Sequence, residues 1–299
     1  MDVILIGEVA SYQALVKLAW LAVVLGAFWW AEGHYESALA RPAGRARGRR
    51  TNLLLLGIVM ALNFFAAIAT ACLVAACERA GFGLFHVVDC PEWVEPAGSV
   101  AVLDLVALYL AHVLLHRVPA LWRVHVVHHA DLHVDVTTGT RHHPLDFLVR
   151  EGFALAVVCL LGVPLWAYLV YRALAVAFTY FTHANIRLPA KLERALSYVV
   201  VTPRMHRVHH HRELPWTDAN FGNLFSVWDR LFGTYARVDE SGLVYGVDCV
   251  VGVDADELAA QLRLPWSDWG APVADRPRHA GAPVARTYSR APHSTRAYP

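Results

Sequence analysis

Long apolar segments constrain this chain most. Residues 53–77 form an uninterrupted stretch of 25 residues without a charged side chain. About 20 apolar residues are enough to cross the hydrocarbon core of a bilayer. Residues 15–31 and 99–115 form two further apolar runs, and each contains one charged residue, Lys17 or Asp104. These segments predict transmembrane helices.

A fourth apolar run covers residues 153–181. It is interrupted by Gly162-Val163-Pro164 and by Arg172. The run therefore predicts either one long helix or a kinked hairpin. Because all four apolar runs favour membrane helices, the expected fold is all-α, an integral membrane helical bundle.

Composition narrows the class of protein further. The chain is 57% hydrophobic and only 17% charged, and its net charge of +1 gives no reason to expect nucleic acid binding. Its five cysteines form no CxxC pair. Four of them lie in or beside apolar segments and are expected to be small buried hydrophobic residues, and the odd count argues against a disulfide framework.

Loop charges predict the orientation of the bundle. Five arginines lie at positions 41–50, between the first two apolar runs. The next loop contains one arginine, Arg79, and four acidic residues. Since cytoplasmic loops carry the excess of Lys and Arg, residues 41–50 are expected in the cytoplasm. The end of the third run is then cytoplasmic as well, and the histidines begin there.

Histidines are concentrated in one third of the chain, with 13 of the 17 between His112 and His211. HVVHH at 125–129 and HRVHH at 206–210 repeat one spacing, in which three imidazoles share one face of a helix. His112 and His116 share a face in the same way. Thr202-Pro203 is a typical helix start, with Thr as N-cap and Pro at the first position.

This clustering predicts a metal centre, because imidazole is a common metal ligand at neutral pH. Ligand type alone leaves zinc, copper, iron and nickel open. Zinc sites close at four ligands, so eight or more histidines indicate two metals. The alternatives are a histidine-rich membrane metal transporter, which needs ligands along its spans, and a zinc-dependent membrane hydrolase. No HExxH motif is present for the hydrolase.

Three segments carry a resemblance to a known family. HVLLHRVPALWRVHVVHHADLHVDVTTGTRHHPLD, THANIRLP and VTPRMHRVHHHRELPWTDANFGNLFSVWDRLFGTY together resemble the fatty acid hydroxylase/sterol desaturase superfamily over about Asp104–Tyr235. Its pattern is HxxxH, HxxHH, RxHP, an isolated histidine before Asn, and a final HxxHH. The resemblance implies a membrane-embedded non-haem di-iron oxygenase with an all-helical, cytoplasmic, histidine-rich cap.

The resemblance also implies a ligand set. Carried onto this chain, the ligands are His112, His116, His125, His128, His129, His143, His183, His206, His209 and His210. His143 fills the RxHP position with His142 as its neighbour, and His133 and His211 fall where the pattern asks for no ligand. Val113 and Asp146 depart from the family pattern, which often has Arg and Glu there.

Polar residues near the motifs are candidates for orienting the ligand rings through hydrogen bonds. Asp104 is one candidate. Burying an ionisable group inside a span costs free energy, so such a group is expected to have a function. A role in the bundle unrelated to the metals is an equal alternative for it. The full set is Asp104, Asp218, Asn220, Asn223 and Asp229.

The predicted reaction uses O2 and two electrons to hydroxylate, or desaturate, an unactivated C–H bond of a lipid-like or other apolar substrate. The cofactor is two iron ions, which zinc can replace in preparations. The chain contains no CxxC pair, haem-binding HPGG motif or dinucleotide-binding motif. Electrons must therefore come from a separate partner, and a ferredoxin or cytochrome is the expected type. The expected location is a bacterial inner membrane, with the metals on the cytoplasmic face.

Four regions are expected. Residues 1–98 hold the N-terminal transmembrane helices, and 99–237 the catalytic domain. Residues 238–271 form a C-terminal extension, and 272–299 a disordered tail, because that tail is rich in Ala, Pro and Arg without periodicity.

Overall fold

A computed structural model describes residues 3–35, 37–39, 45–238, 242–247, 249–250, 252–267 and 269, with side chains described from residue 15 onward. The predicted disordered tail, 272–299, lies outside the described residues.

The all-α prediction is confirmed. Helices make up most of the described residues, which contain no strand and only an isolated bridge between Val200 and Phe225. The helices are α1 Val3–His34, α2 Ala46–Ala80, α3 Leu84–Val87, α4 Val94–Leu103, α5 Ala111–Arg117, α6 Pro119–His129, α7 Pro144–Leu161, α8 Leu165–His183, α9 Ala190–Leu196, α10 Pro203–His209, α11 Val227–Leu231 and α12 Leu258–Arg263.

Four helical stretches among the described residues are long and apolar enough to cross a membrane. They are Leu15–His34, Ala46–Val87, Val94–Arg117 and Leu165–His183. The chain is thus an integral membrane protein, as its apolar segments predict.

The fourth apolar run is a hairpin. Gly162 ends α7 in the left-handed conformation, with φ of 69°, which glycine adopts at little cost. Pro164 then begins α8, as proline commonly follows a helix end. Glu151 of α7 accepts a hydrogen bond from the Tyr168 hydroxyl at 2.8 Å and pairs with Arg172 at 3.1 Å, which ties the two helices together.

The third span delivers its histidines through an irregular helix. Between α4 and α5, residues Asp104–Leu110 form a π-helical segment, a feature found mostly at functional sites. Val118 leaves the helix with an extended backbone, and Pro119 starts α6. This break folds α6 back on α5, so the His112 and His125 ring centroids lie 4.9 Å apart.

Candidate metal centre

Nine of the ten predicted ligands meet in two adjoining groups of buried imidazoles. Within each group, the candidate ligand atoms all lie within 4.8 Å of one another. We call the first the five-histidine group: His112, His116, His125, His129 and His209. We call the second the four-histidine group: His128, His183, His206 and His210.

Helix caps and helix ends place these side chains. The Thr202 hydroxyl accepts a hydrogen bond from the Met205 N–H, and Pro203 opens α10, as the sequence predicts. His183 is the last residue of α8. Both HxxHH motifs divide their side chains between the groups, since His128 and His129 lie on opposite sides of the boundary, as do His210 and His209.

The five-histidine group has nitrogen atoms without partners at its centre. His116, His129 and His209 each bury an Nε2 atom that has no hydrogen-bond partner. The Nε2 atoms of His112 and His125 lie 3.1 Å apart. Buried polar atoms are nearly always paired, so unpaired nitrogens gathered in one place indicate a site for a cation.

The four-histidine group is arranged around His183. Its Nε2 lies 3.2 Å from the Nε2 of His128, 3.2 Å from that of His210 and 3.0 Å from that of His206. Four nitrogens at such separations point their lone pairs into one small volume. A single metal ion fits this donor set.

Backbone carbonyls fix the orientation of four rings. The Nδ1–H of His112 donates to the Phe221 carbonyl at 2.8 Å, and that of His209 donates to Ala219 at 2.8 Å. The Nδ1–H of His128 donates to the Arg141 carbonyl at 3.1 Å, and that of His183 donates to Thr179 at 2.7 Å. Each of these hydrogen bonds keeps the proton on Nδ1, so the lone pair on Nε2 is free to bind a metal.

Two carboxylates hold rings of the five-histidine group. The Asp146 Oδ2 lies 2.5 Å from the His125 Nδ1, and both side chains are fully buried. The Asp218 Oδ1 lies 3.3 Å from the His116 Nδ1, with Asp218 one-quarter exposed. Asp146 also accepts from Arg150 at 2.8 Å. Although burial raises the pKa of Asp146, Arg150 and His125 hold it well below its usual range.

Burial keeps the imidazoles neutral. It lowers the pKa of His125 to about 3, although Asp146 acts in the opposite direction. Burial and the neighbouring rings hold the pKa of His129, His206 and His209 well below the usual value. Neutral imidazole is the form that binds metal. The residues therefore fit two metal ions in position, number and protonation.

The structure does not bring His143 to either group. Because Pro144 opens α7, His143 is its N-cap, and its Nδ1 accepts a hydrogen bond from the Leu145 N–H at 3.1 Å. Its Nε2 lies 3.3 Å from the Leu262 carbonyl, so both ring nitrogens are engaged. The neighbour, His142, instead stacks on His128 with ring centroids 4.5 Å apart.

Asp218 is the one residue of the predicted orienting set whose side chain reaches a ligand ring. Asp104 accepts from the Leu224 and Phe225 N–H groups and from Trp228. It does not reach His112, because its carboxylate is taken up by that loop.

The other three predicted orienting residues form hydrogen bonds with backbone groups or with the Thr179 hydroxyl, and not with ligand rings. Asp229 accepts from the Phe221 and Gly222 N–H groups, which positions the carbonyl acceptor of His112 indirectly. Asn220, in the left-handed region with φ of 53°, donates to Met205 and Ala236 carbonyls. The Asn223 side chain accepts from the Thr179 hydroxyl.

Both histidines assigned no ligand role lie outside the groups. His133 is exposed, and only its backbone N–H is bonded, to Asp131. His211 is buried, but its Nδ1 lies 2.9 Å from the Val244 carbonyl. His211 thus attaches residues 242–247 to the end of α10.

A buried ionic network behind the four-histidine group has no motif in the sequence. Arg45 binds Asp131 at 2.7 Å and Asp135 at 2.9 Å. Asn52 joins Asp131 to Arg141, and Arg141 also donates to the Val127 carbonyl at 2.7 Å. The only signal for this network was the charge of residues 41–50, which also predicts membrane orientation.

Comparison with known proteins agrees with the geometry. Residues 98–234 match the sequence profile of the fatty acid hydroxylase family. The ornithine lipid hydroxylase OlsE of Rhizobium tropici is 32% identical over 184 residues, 60% of this chain and 53% of that protein. An alkylglycerol monooxygenase of Caenorhabditis elegans is 28% identical, over 46% of this chain and 27% of that protein.

A third relative is methylsterol monooxygenase 1 of Gallus gallus, 28% identical over 49% of each chain. The match therefore spans about half, or less, of each of these three relatives. No solved structure matches the chain. Residues 98–234 are thus similar to the fatty acid hydroxylase family, and the imidazoles that they bring together agree with the histidine motifs that carry the resemblance.

Proposed function

We propose that this protein is a membrane-bound, O2-dependent di-iron oxygenase that hydroxylates or desaturates an unactivated C–H bond of a lipid-like substrate. The observation that carries the proposal is the pair of adjoining imidazole groups, five and four rings. The relatives are named as lipid hydroxylases and monooxygenases, which supports the reaction class.

Two irons, when bound, would supply O2 activation with two external electrons. The five-histidine group would hold one iron and the four-histidine group the other, each through Nε2 atoms. The chain's own contribution is orientation. Carbonyls and carboxylates fix the tautomer of six of the nine rings before metal binds, so those rings need little rearrangement.

A lipid-like substrate is supported by the position of the site. His112 and His116 belong to the span Val94–Arg117, and His183 ends the span Leu165–His183. The imidazoles therefore lie where two spans end, within reach of a molecule dissolved in the bilayer. The separate electron donor, of ferredoxin or cytochrome type, remains part of the proposal.

The cytoplasmic face is supported by charge. Arg45 and Arg49 bind Asp135, close to the four-histidine group, and belong to the arginine-rich stretch 41–50 at the start of the second span. Such stretches favour the cytoplasm. A reporter fused at Glu92 should then lie on the opposite side of the membrane from one inserted at Gly44.

The test combines metal analysis of the purified protein with a comparison of lipid products in cells. Protein purified without oxygen should carry close to two irons per chain. Lipid extracts of cells with and without the gene should differ by species that gain one oxygen or lose two hydrogens. A preparation that turns over with one zinc and no iron would favour a hydrolase, and metal flux without product would favour a transporter.

A further inference from the structure

The segments on either side of α10 carry an exposed apolar surface, which we call the apolar patch. Its five side chains are between 43% and 67% exposed. They are Tyr198, Val199, Val227, Leu231 and Phe232. Two strips of chain form it, joined by hydrogen bonds from the Ser226 N–H to the Val199 carbonyl and from the Val201 N–H to the Leu224 carbonyl.

Hydrogen bonds to the third span show how far along that span the patch lies. Asp104 accepts hydrogen bonds from the Leu224 and Phe225 N–H groups, and from the Trp228 indole at 2.7 Å. Asp104 lies ten residues from Val94, the end of the span remote from the histidines. At about 1.5 Å per residue, residues 224–228 therefore lie ~15 Å along the span.

The fourth span gives an independent measure. The Thr179 hydroxyl donates to the Asn223 side chain at 3.3 Å. Thr179 lies 14 residues from Leu165, the remote end of α8, a distance of about 21 Å. The hydrocarbon core is about 30 Å thick. Both measures place residues 223–228 inside that thickness.

Two charged residues limit where the hydrocarbon core can begin relative to α4. Asp89 and Glu92 are exposed just before α4, so the hydrocarbon cannot extend past them without burying a charge in lipid. It therefore starts at or beyond the remote end of the third span and extends towards the histidines. Residues 223–228, which the two measures cover, are within it for any start along the first turns of α4.

Several polar groups of this segment have partners inside the protein, which lowers the cost of a lipid environment. Asp104 serves two backbone N–H groups, and Asp229 is buried and accepts from Phe221, Gly222 and the Thr234 hydroxyl. The Arg230 guanidinium stacks on the Tyr235 ring at 4.0 Å. The outward positions that remain, Val227, Leu231 and Phe232, are apolar.

We infer that residues 224–232 are embedded in the hydrocarbon beside the third span, although they lie outside the four spans, and that the apolar patch contacts lipid acyl chains. The patch is continuous with the span, since Phe232 stacks on Tyr109 with ring centroids 5.4 Å apart. This also gives the mid-span carboxylate of Asp104 a role, because it binds the backbone of the embedded segment. The inference does not depend on the reaction.

Two matched leucines test it. Leu231 in the patch and Leu132 beside the ionic network are both exposed, at 67% and 53%. Leu231→Cys and Leu132→Cys are made in the full chain with the exposed Cys72 changed to alanine, labelled with an environment-sensitive fluorophore, and reconstituted in vesicles. Bilayers with acyl-brominated phosphatidylcholine should quench the label at position 231 at least three-fold more than that at 132.

A membrane-impermeant maleimide should in turn modify Leu231→Cys at least ten-fold more slowly than Leu132→Cys. The Cys72→Ala parent gives the background for both measurements. Equal aqueous reactivity at the two positions would overturn the inference. So would a Leu231→Cys thiol that neither lipid nor water reaches but that crosslinks to a second copy, because the patch would then be a protein interface.

Discussion

The two imidazole groups differ in what lies behind their rings. In the five-histidine group, carboxylates stand behind His125 and His116, and carbonyls behind His112 and His209. In the four-histidine group, the Nδ1 atoms of His128 and His183 bond carbonyls, and no carboxylate bonds a ring of this group among the described contacts. A carboxylate acceptor makes an imidazole a stronger ligand than a carbonyl does.

This difference indicates two unequal metal positions. The five-histidine group offers more nitrogens and two nearby negative charges, so we expect it to bind a divalent ion more tightly. The four-histidine group offers one nitrogen fewer and leaves more of a metal's coordination positions to other ligands. Partial loading should therefore fill the five-histidine group first.

The largest effect is expected from removing a ligand. His209→Ala and His129→Ala take a buried nitrogen from the five-histidine group, and turnover should fall by more than about 100-fold, beyond the loss typical of outer partners. Iron per chain should fall with it, as measured by metal analysis after anaerobic purification.

The matched controls are neighbours on the same helices or loops. His211→Ala and His133→Ala should keep both iron and turnover within a few-fold, since His211 bonds Val244 and His133 is exposed. If both controls lost as much iron as the two ligand variants, the division between ligands and neighbours would fail, even with the oxygenase class intact.

The next effect concerns the carboxylates. Asp146→Asn keeps the shape but removes the charge beside His125, and we expect a 10–100-fold loss of iron affinity or activity, typical of such partners. Asp218→Asn should cost several-fold less, because that carboxylate is one-quarter exposed and 3.3 Å from His116. Iron titration of both variants measures the ratio. Equal losses would remove the distinction between buried and exposed partners.

A smaller effect is expected behind the four-histidine group. Arg141→Lys removes hydrogen bonds to Asn52 and to the Ala255 carbonyl. Each buried group left unpaired should lower the free energy of unfolding by about 1–3 kcal/mol. Since the Arg141 carbonyl holds His128, iron occupancy should fall towards one per chain. Thermal unfolding and metal analysis check the two effects.

Arg123→Lys is the control for that variant. Arg123 also donates to two carbonyls, those of Pro265 and Ser267, but neither it nor its carbonyl bonds a ligand ring among the described contacts. It should lower stability similarly and leave two irons bound. Iron loss in both variants would mean that general destabilisation empties the site.

The sequence predicts the rings better than their partners. Helical spacing alone groups His125, His128 and His129, because i, i+3 and i+4 share a face. Spacing does not reveal that His128 and His129 belong to different groups, since that depends on how α8 and α10 approach. Carbonyl acceptors such as Phe221 and Ala219 have no residue signature at all, so no sequence pattern could have found them.

The apolar segments also predict part of the fold, namely the spans, but not how the fourth run is divided. Hydropathy predicts the four spans, but the hairpin at Gly162 could be decided only by the backbone. For a related reason, the sequence could not decide between the two roles considered for Asp104. Its partners are two N–H groups and an indole some 120 residues later, and long-range backbone contacts leave no local pattern.

The smallest effect separates His143 from His142. With its Nδ1 accepting from the Leu145 N–H and its Nε2 near the Leu262 carbonyl, His143 has no lone pair left for a metal. His143→Ala should therefore cost only a helix cap, about 0.5–2 kcal/mol of unfolding free energy, with both irons retained. His142→Ala removes the ring stacked on His128 and lying 3.7 Å from Asp146, and should reduce iron binding moderately. Metal analysis beside thermal unfolding tells the two apart. Iron lost from His143→Ala but not from His142→Ala would restore the ligand assignment that the RxHP motif implies and would require α7 to begin differently.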